Sequence, residues 1–85
     1  MYVKRKGAVL AKDGGKLYIL FDRSLYEVNE VGARIFDLCN GKDSISDINK
    51  KLSMLFDVQS DELKKDIDVF IESLLDSGVI YIEGT

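Results

Sequence analysis

In the stretch Ser24–Phe36, SLYEVNEVGARIF, a strand runs into a helix with a single residue between them, and this junction constrains the fold more than any other stretch. Ser24–Val28 is rich in residues that fit a pleated strand. Asn29 reads as a helix N-cap, because its side-chain oxygen can accept from first-turn amides that have no partner within the helix. Glu30 adds a negative charge where the helix dipole favours one. Behind the cap, Val31, Ile35, Leu38 and Cys39 recur at spacings of three and four with Phe36 beside them, an apolar stripe that must pack on something. The strand feeding this helix is expected to be an open sheet edge, and the work of the protein is expected along it.

Upstream, Tyr2–Lys12 reads as one strand and Asp13-Gly14-Gly15 as a turn. Leu17–Phe21 reads as a second strand, apolar on both faces and so central, and Asp22-Arg23 as a shorter turn. Hairpins make neighbours of consecutive strands, which predicts a three-stranded antiparallel meander with Ser24–Val28 at one edge. Downstream, Asn40-Gly41 ends the first helix. Ser44 with Asp47 opens a second as a short capping box, followed by Ile45, Ile48, Leu52 and Leu55 at helical spacing. Ser60 is the expected N-cap of a third helix that runs to Ser77 before Gly78, with its core stripe at Leu63, Ile67, Phe70, Ile71 and Leu74. Val79–Glu83 is expected to form a short terminal strand beside the first one. The reading is a single α+β domain over residues 1–85, winged-helix-like, with a three-stranded β-meander, three helices and a short C-terminal strand.

Such a short chain has a modest core and little room for an interior catalytic pocket. It has no histidine and one cysteine, which removes the commonest general base and the commonest transition-metal ligand. Cys39 lies on the apolar stripe of its helix, where a thiol acts as a small hydrophobe. No phosphate-binding glycine spacing occurs. No catalytic residue, metal site or cofactor is expected, and the chain reads as non-enzymatic. Its longest uninterrupted apolar run, Leu17–Phe21, is far short of the roughly 20 residues that span a bilayer, and the N-terminus lacks a signal-peptide core. The expectation is a cytoplasmic protein with no membrane partner.

The arrangement is similar to winged-helix DNA-binding domains, which makes a DNA-binding regulator the alternative reading. The third helix argues against it, since Asp61–Asp76 carries six acidic side chains and two lysines, and DNA affinity rests on phosphate attraction. Residues 1–42 hold eight Lys/Arg against five Asp/Glu, whereas residues 43–85 hold four against ten, so the second half repels nucleic acid.

Tyr26-Glu27-Val28-Asn29, followed by Gly32, Ile35 and Phe36, resembles the strand-to-helix pattern of the PqqD-like proteins, the peptide-recognition domains called RiPP recognition elements. The resemblance continues through Gly41, Ser44, Ile48, Leu52, Phe56 and Val58 to Asp66, Phe70, Leu74 and Gly78-Val79-Ile80, covering essentially the full chain. Val28 stands where the family usually has Leu, and Phe36 where it often has Trp; both keep apolar packing. The resemblance implies a wing-like sheet on three helices. It also implies binding of the leader of a ribosomally made precursor peptide and its presentation to a separate enzyme, such as a radical enzyme with an iron–sulfur cluster or a leader peptidase.

An exposed edge strand offers unpaired amides and carbonyls to which an extended leader can add as a further strand. The expected site is Ser24, Leu25, Tyr26, Glu27 and Val28 facing one flank of the third helix, with Leu25, Ile71 and Leu75 as apolar wall and Lys64 and Asp68 as charged register pins. Strand alternation leaves open whether Leu25 or Tyr26 lines the cleft.

Overall fold

The structure is a computed structural model and describes residues 1–84. Its elements are β1 (Tyr2–Lys4), β2 (Val9–Asp13), β3 (Lys16–Phe21), β4 (Ser24–Val28), α1 (Glu30–Leu38), α2 (Ile45–Phe56), α3 (Ser60–Asp76) and β5 (Ile80–Ile82). The expected meander is present as an antiparallel sheet in the order β2-β3-β4, with β3 central. The expected terminal strand is present as β5, paired antiparallel with β1 in a second, two-stranded sheet.

The first expected strand is two. Tyr2–Lys12 does not run continuously, because Gly7 takes a positive φ of 92° and the Ala8 amide turns back to the Arg5 carbonyl at 3.0 Å. Only glycine adopts that backbone without a steric penalty, so the chain leaves one sheet there and enters another. β1 is held on both sides: Lys4 N–H donates to Cys39 O at the end of α1, and Arg5 N–H donates to Val79 O just before β5. At the outer end of this clasp the Met1 ammonium donates to the Glu83 carbonyl at 2.9 Å, and the Glu83 amide donates back to the Met1 carbonyl at 2.8 Å.

The helices begin as local chemistry dictates, with one exception. Asn29 Oδ1 accepts from Gly32 N–H at 2.8 Å. Ser44 and Asp47 complete a reciprocal capping box, each side chain accepting from the other's amide at 3.0–3.1 Å. Ser60, however, is the first residue inside α3, and Gln59 occupies the N-cap with no side-chain bond. The Gln59 carbonyl accepts from Glu62 and Leu63, while the Ser60 carbonyl accepts from Asn49 Nδ2, which fixes Ser60 already within the helix.

The core gathers Phe36 and Ile35 of α1 with Cys39 just after it, Ile48 and Leu52 of α2, Ile67, Ile71 and Leu74 of α3, and Val79 and Ile80 at the clasp. The three-stranded sheet meets this core chiefly through the row Leu10, Ile19 and Tyr26, which lie opposite one another on successive strands, with Phe21 and Val28 packing beside it; Ile19 is fully buried. Complete burial of an aliphatic side chain such as Ile19 contributes about 1.5–3 kcal/mol. Leu55, expected on the α2 stripe, is exposed, and the half-buried Phe56 beside it packs on the core instead.

Candidate functional site

Phe21 and Ser24 close a two-residue hairpin, so they exchange both hydrogen bonds, and in antiparallel strands such pairs alternate with pairs that exchange none. Ser24, Tyr26 and Val28 therefore bond inward to β3. The N–H and C=O groups of Leu25 and Glu27 point the other way, to the open side of β4. Among the described residues no strand pairs with that side.

Side chains divide by the same alternation. Tyr26 and Val28 lie on the face that meets the core, in line with Ile19 and Leu17, and Ser24 shares that face. Leu25 and Glu27 stand on the opposite face beside Leu20 and Tyr18, and Leu25 is 64% exposed. Of the two residues left undecided by alternation, Tyr26 thus faces the helices and Leu25 faces away. Glu27 meets Lys16 at 3.8 Å in a solvent-exposed pair, a loose contact that leaves its carboxylate accessible.

The helical wall is set by Gly32. It sits in the first turn of α1, immediately after β4, and a methyl group there would lie 2.9 Å from Phe70 Cζ. The missing side chain lets α3 approach the β4–α1 junction closely and puts Phe70, half-buried, on the α3 flank nearest to it. Four residues expected on that wall are elsewhere. Ile71 is 3% exposed, so its apolar surface is spent inside the core. Lys64 lies on the other flank, lining a groove with Ile45, Asn49 and Lys50 of α2. Asp68 shares the outer surface of α3 with Asp61, Lys65 and Glu72. Leu75, about 140° from Phe70 around the helix at 100° per residue, packs on the core from the Lys64 side. A stripe read from sequence has two flanks, and without its neighbours nothing distinguishes them. Glycine within a helix was the available signal, since it costs about 1 kcal/mol against alanine and calls for a packing reason.

Two further depressions mark the surface, one at this junction and one on the far flank of α3. One, of about 590 Å³, lies beneath the row Lys12, Leu17 and Val28 at the glycine hairpin and is walled by Ala33, Arg34 and Asp37 of α1. The other, of about 750 Å³, is the α2–α3 groove containing Lys64; there Asn49 Nδ2 donates to Ser60 O while its Oδ1 is buried without a partner. The titrating groups with displaced pKa values are structural. Burial pushes the Cys39 thiol up to about 11 against a smaller opposing pull from Lys4, and its Sγ donates to Ile35 O. The Asp43 carboxyl is held below its ordinary value by hydrogen bonds from Lys51 at 2.8 Å and Asn40 at 3.0 Å. No group of three or more His, Cys, Asp or Glu that could hold a metal ion occurs among the described residues.

The chain is a winged-helix-like α+β domain in which the open side of β4 lies beside a helical flank. The profile of the family Coenzyme PQQ synthesis protein D (PqqD) matches residues 9–80, and the chain belongs to this family. It is 32% identical over 62 residues to the PqqA binding protein of Methylococcus capsulatus (strain ATCC 33009 / NCIMB 11132 / Bath), a match covering 73% of this chain and 64% of that protein. Its fold is similar to that of TbiB1 solved in complex with the TbiA(beta) leader peptide, with a TM-score of 0.76, 15% identity, and coverage of 98% of this chain and 99% of the other.

Proposed function

We propose that this protein is a non-catalytic peptide chaperone that binds the leader of a ribosomally synthesised precursor along β4 and presents the remainder to a separate enzyme. The observation that carries the reading is the open side of β4, where Leu25 and Glu27 direct unpaired backbone groups to solvent. A leader adding there gains backbone hydrogen bonds at those two residues, and its alternate side chains descend beside Tyr26 toward Phe70 and the first turn of α1. The relatives support the peptide ligand, since one is named for binding PqqA and another was solved with a leader peptide. The partner enzyme belongs to a class that acts on such precursors, a radical enzyme with an iron–sulfur cluster or a leader peptidase, and supplies any cofactor itself. No helix among the described residues is long and apolar enough to cross a membrane, which fits a cytoplasmic role.

DNA binding is the weaker reading. All six acidic residues of α3 are exposed alongside only Lys64 and Lys65, so the helix that would enter a groove repels phosphate. The test is an amide chemical-shift titration with synthetic leader peptides encoded by short reading frames beside the gene. Shifts confined to Ser24–Val28, the first turn of α1 and the Phe70 flank are expected. Silence with every leader, together with shifts on adding duplex DNA, would replace this reading with the winged-helix regulator.

A further inference from the structure

The outward face of the sheet, opposite the helices, carries a pattern that strand addition alone does not use. Val9, Leu20 and Leu25 lie directly opposite one another on β2, β3 and β4, forming an aliphatic row across the sheet. Val9 is 51% exposed and Leu25 64% exposed, so the row is open to solvent and ends at the unpaired side of β4. The adjacent row on the same face is Ala11, Tyr18 and Glu27, and it ends at that side with a carboxylate. Leu25 and Glu27 are also the two residues whose backbone groups face the open side, so a strand added there pairs with both of them directly.

We infer that these row ends read two leader side chains on the outside of the sheet, an apolar residue beside Leu25 and, two residues away, a lysine or arginine beside Glu27. The inference rests on leader addition to β4. Cross-strand neighbours on one face lie about 4.5–5.5 Å apart at Cβ, close enough for an aliphatic side chain to cover Leu25 and for a cation to reach Glu27. Lys16 does not satisfy that carboxylate, because their contact is long and exposed on both sides. The leader feature that follows is a cation and an apolar residue with one residue between them. Their order reports direction: the cation comes first if the leader runs antiparallel to β4, and second if it runs parallel.

The experiment takes the tightest-binding synthetic leader from the titration above, scans each position with Ala, Asp and Lys, and measures Kd against the wild type, Leu25→Lys and Glu27→Lys. In the wild type, Asp at the apolar position is expected to weaken binding at least tenfold, and Leu25→Lys to recover most of that loss for the Asp peptide alone. Asp at the cationic position is expected to weaken binding about fivefold and to be rescued by Glu27→Lys. Amide shifts at Tyr18 and Ile19 establish that each variant is folded. If no leader position couples to Leu25 or Glu27 while shifts still mark β4, the outward rows do not read sequence and leader binding stands without them. If no leader binds, both fall together.

Discussion

Glu27→Pro separates the backbone of β4 from its side chains. Its N–H faces the open side, so proline there deletes a donor that makes no bond within the folded protein, while Ser24, Tyr26 and Val28 keep the ladder to β3. Proline is tolerated on edge strands in just this orientation, and Tyr26 before it is already extended. The side chain is controlled by Glu27→Gln, which also loses the exposed contact with Lys16, worth under about 1 kcal/mol. Against that control, a leader strand loses one hydrogen bond of about 1 kcal/mol, and its stranded carbonyl costs a further 1–2 kcal/mol or so. The sum of about 2–3 kcal/mol corresponds to a roughly 30- to 150-fold rise in Kd. Calorimetry with a synthetic leader gives the affinities, and hydrogen exchange at Tyr26 and Val28 verifies that the ladder is intact. A folded Glu27→Pro protein that binds within threefold of Glu27→Gln would refute strand addition at β4.

Gly32→Ala is expected to weaken leader binding more than stability, because the helix propensity gained, about 1 kcal/mol, opposes the strain of displacing Phe70. Adding Phe70→Leu makes room for the new methyl, so a double-mutant cycle on urea midpoints should show favourable coupling. Cys39 in the native protein should resist iodoacetamide at pH 8 and label only on unfolding. Because its folded pKa of about 11 exceeds the ordinary 9.0, the protonated thiol favours the folded state, and stability should fall as pH rises from 9 toward 11. Asp43 has the opposite sign: its depressed pKa contributes stability that is present above its ordinary value of 3.8 and lost as pH falls through the folded value. In urea titrations between pH 2.5 and 6, Asp43→Asn should flatten the acid slope.

Much of the frame was legible because it depends on neighbours in sequence. Asn29 caps the helix from a position three residues before Gly32, Ser44 and Asp47 answer each other across one turn, and two-residue loops pair the strands they join. What escaped depends on neighbours in space. Residues 2–12 carry strand-forming residues at both ends, and the break at Gly7 between them becomes necessary only because β1 must reach Val79 and Cys39 while β2 must reach β3. Leu25 and Tyr26 are both apolar and adjacent, so alternation fixed that they face opposite ways but not which way. The expected wall of Lys64, Asp68, Ile71 and Leu75 does not coincide with the α3 flank nearest α1, for a related reason. A helix with one core stripe looks the same from either flank until the contact of Phe70 with Gly32 identifies the side nearest α1.

The clasp at the chain ends gives the domain a mechanical character. Entry and exit lie side by side, so a polypeptide could be interrupted in a surface loop and resumed after this domain with almost no spanning linker. Tension applied between those ends would act on β1 and β5 from their outer end, parting Tyr2 from Ile82, then Val3 from Tyr81, then Lys4 from Ile80, one pair at a time. Peeling of this kind needs less force than shearing all the bonds at once. The clasp would open like a zip while β2, β3 and β4, outside the direct line of pull, keep their register, so the open side of β4 would be the last part of the molecule to feel a load carried through its ends.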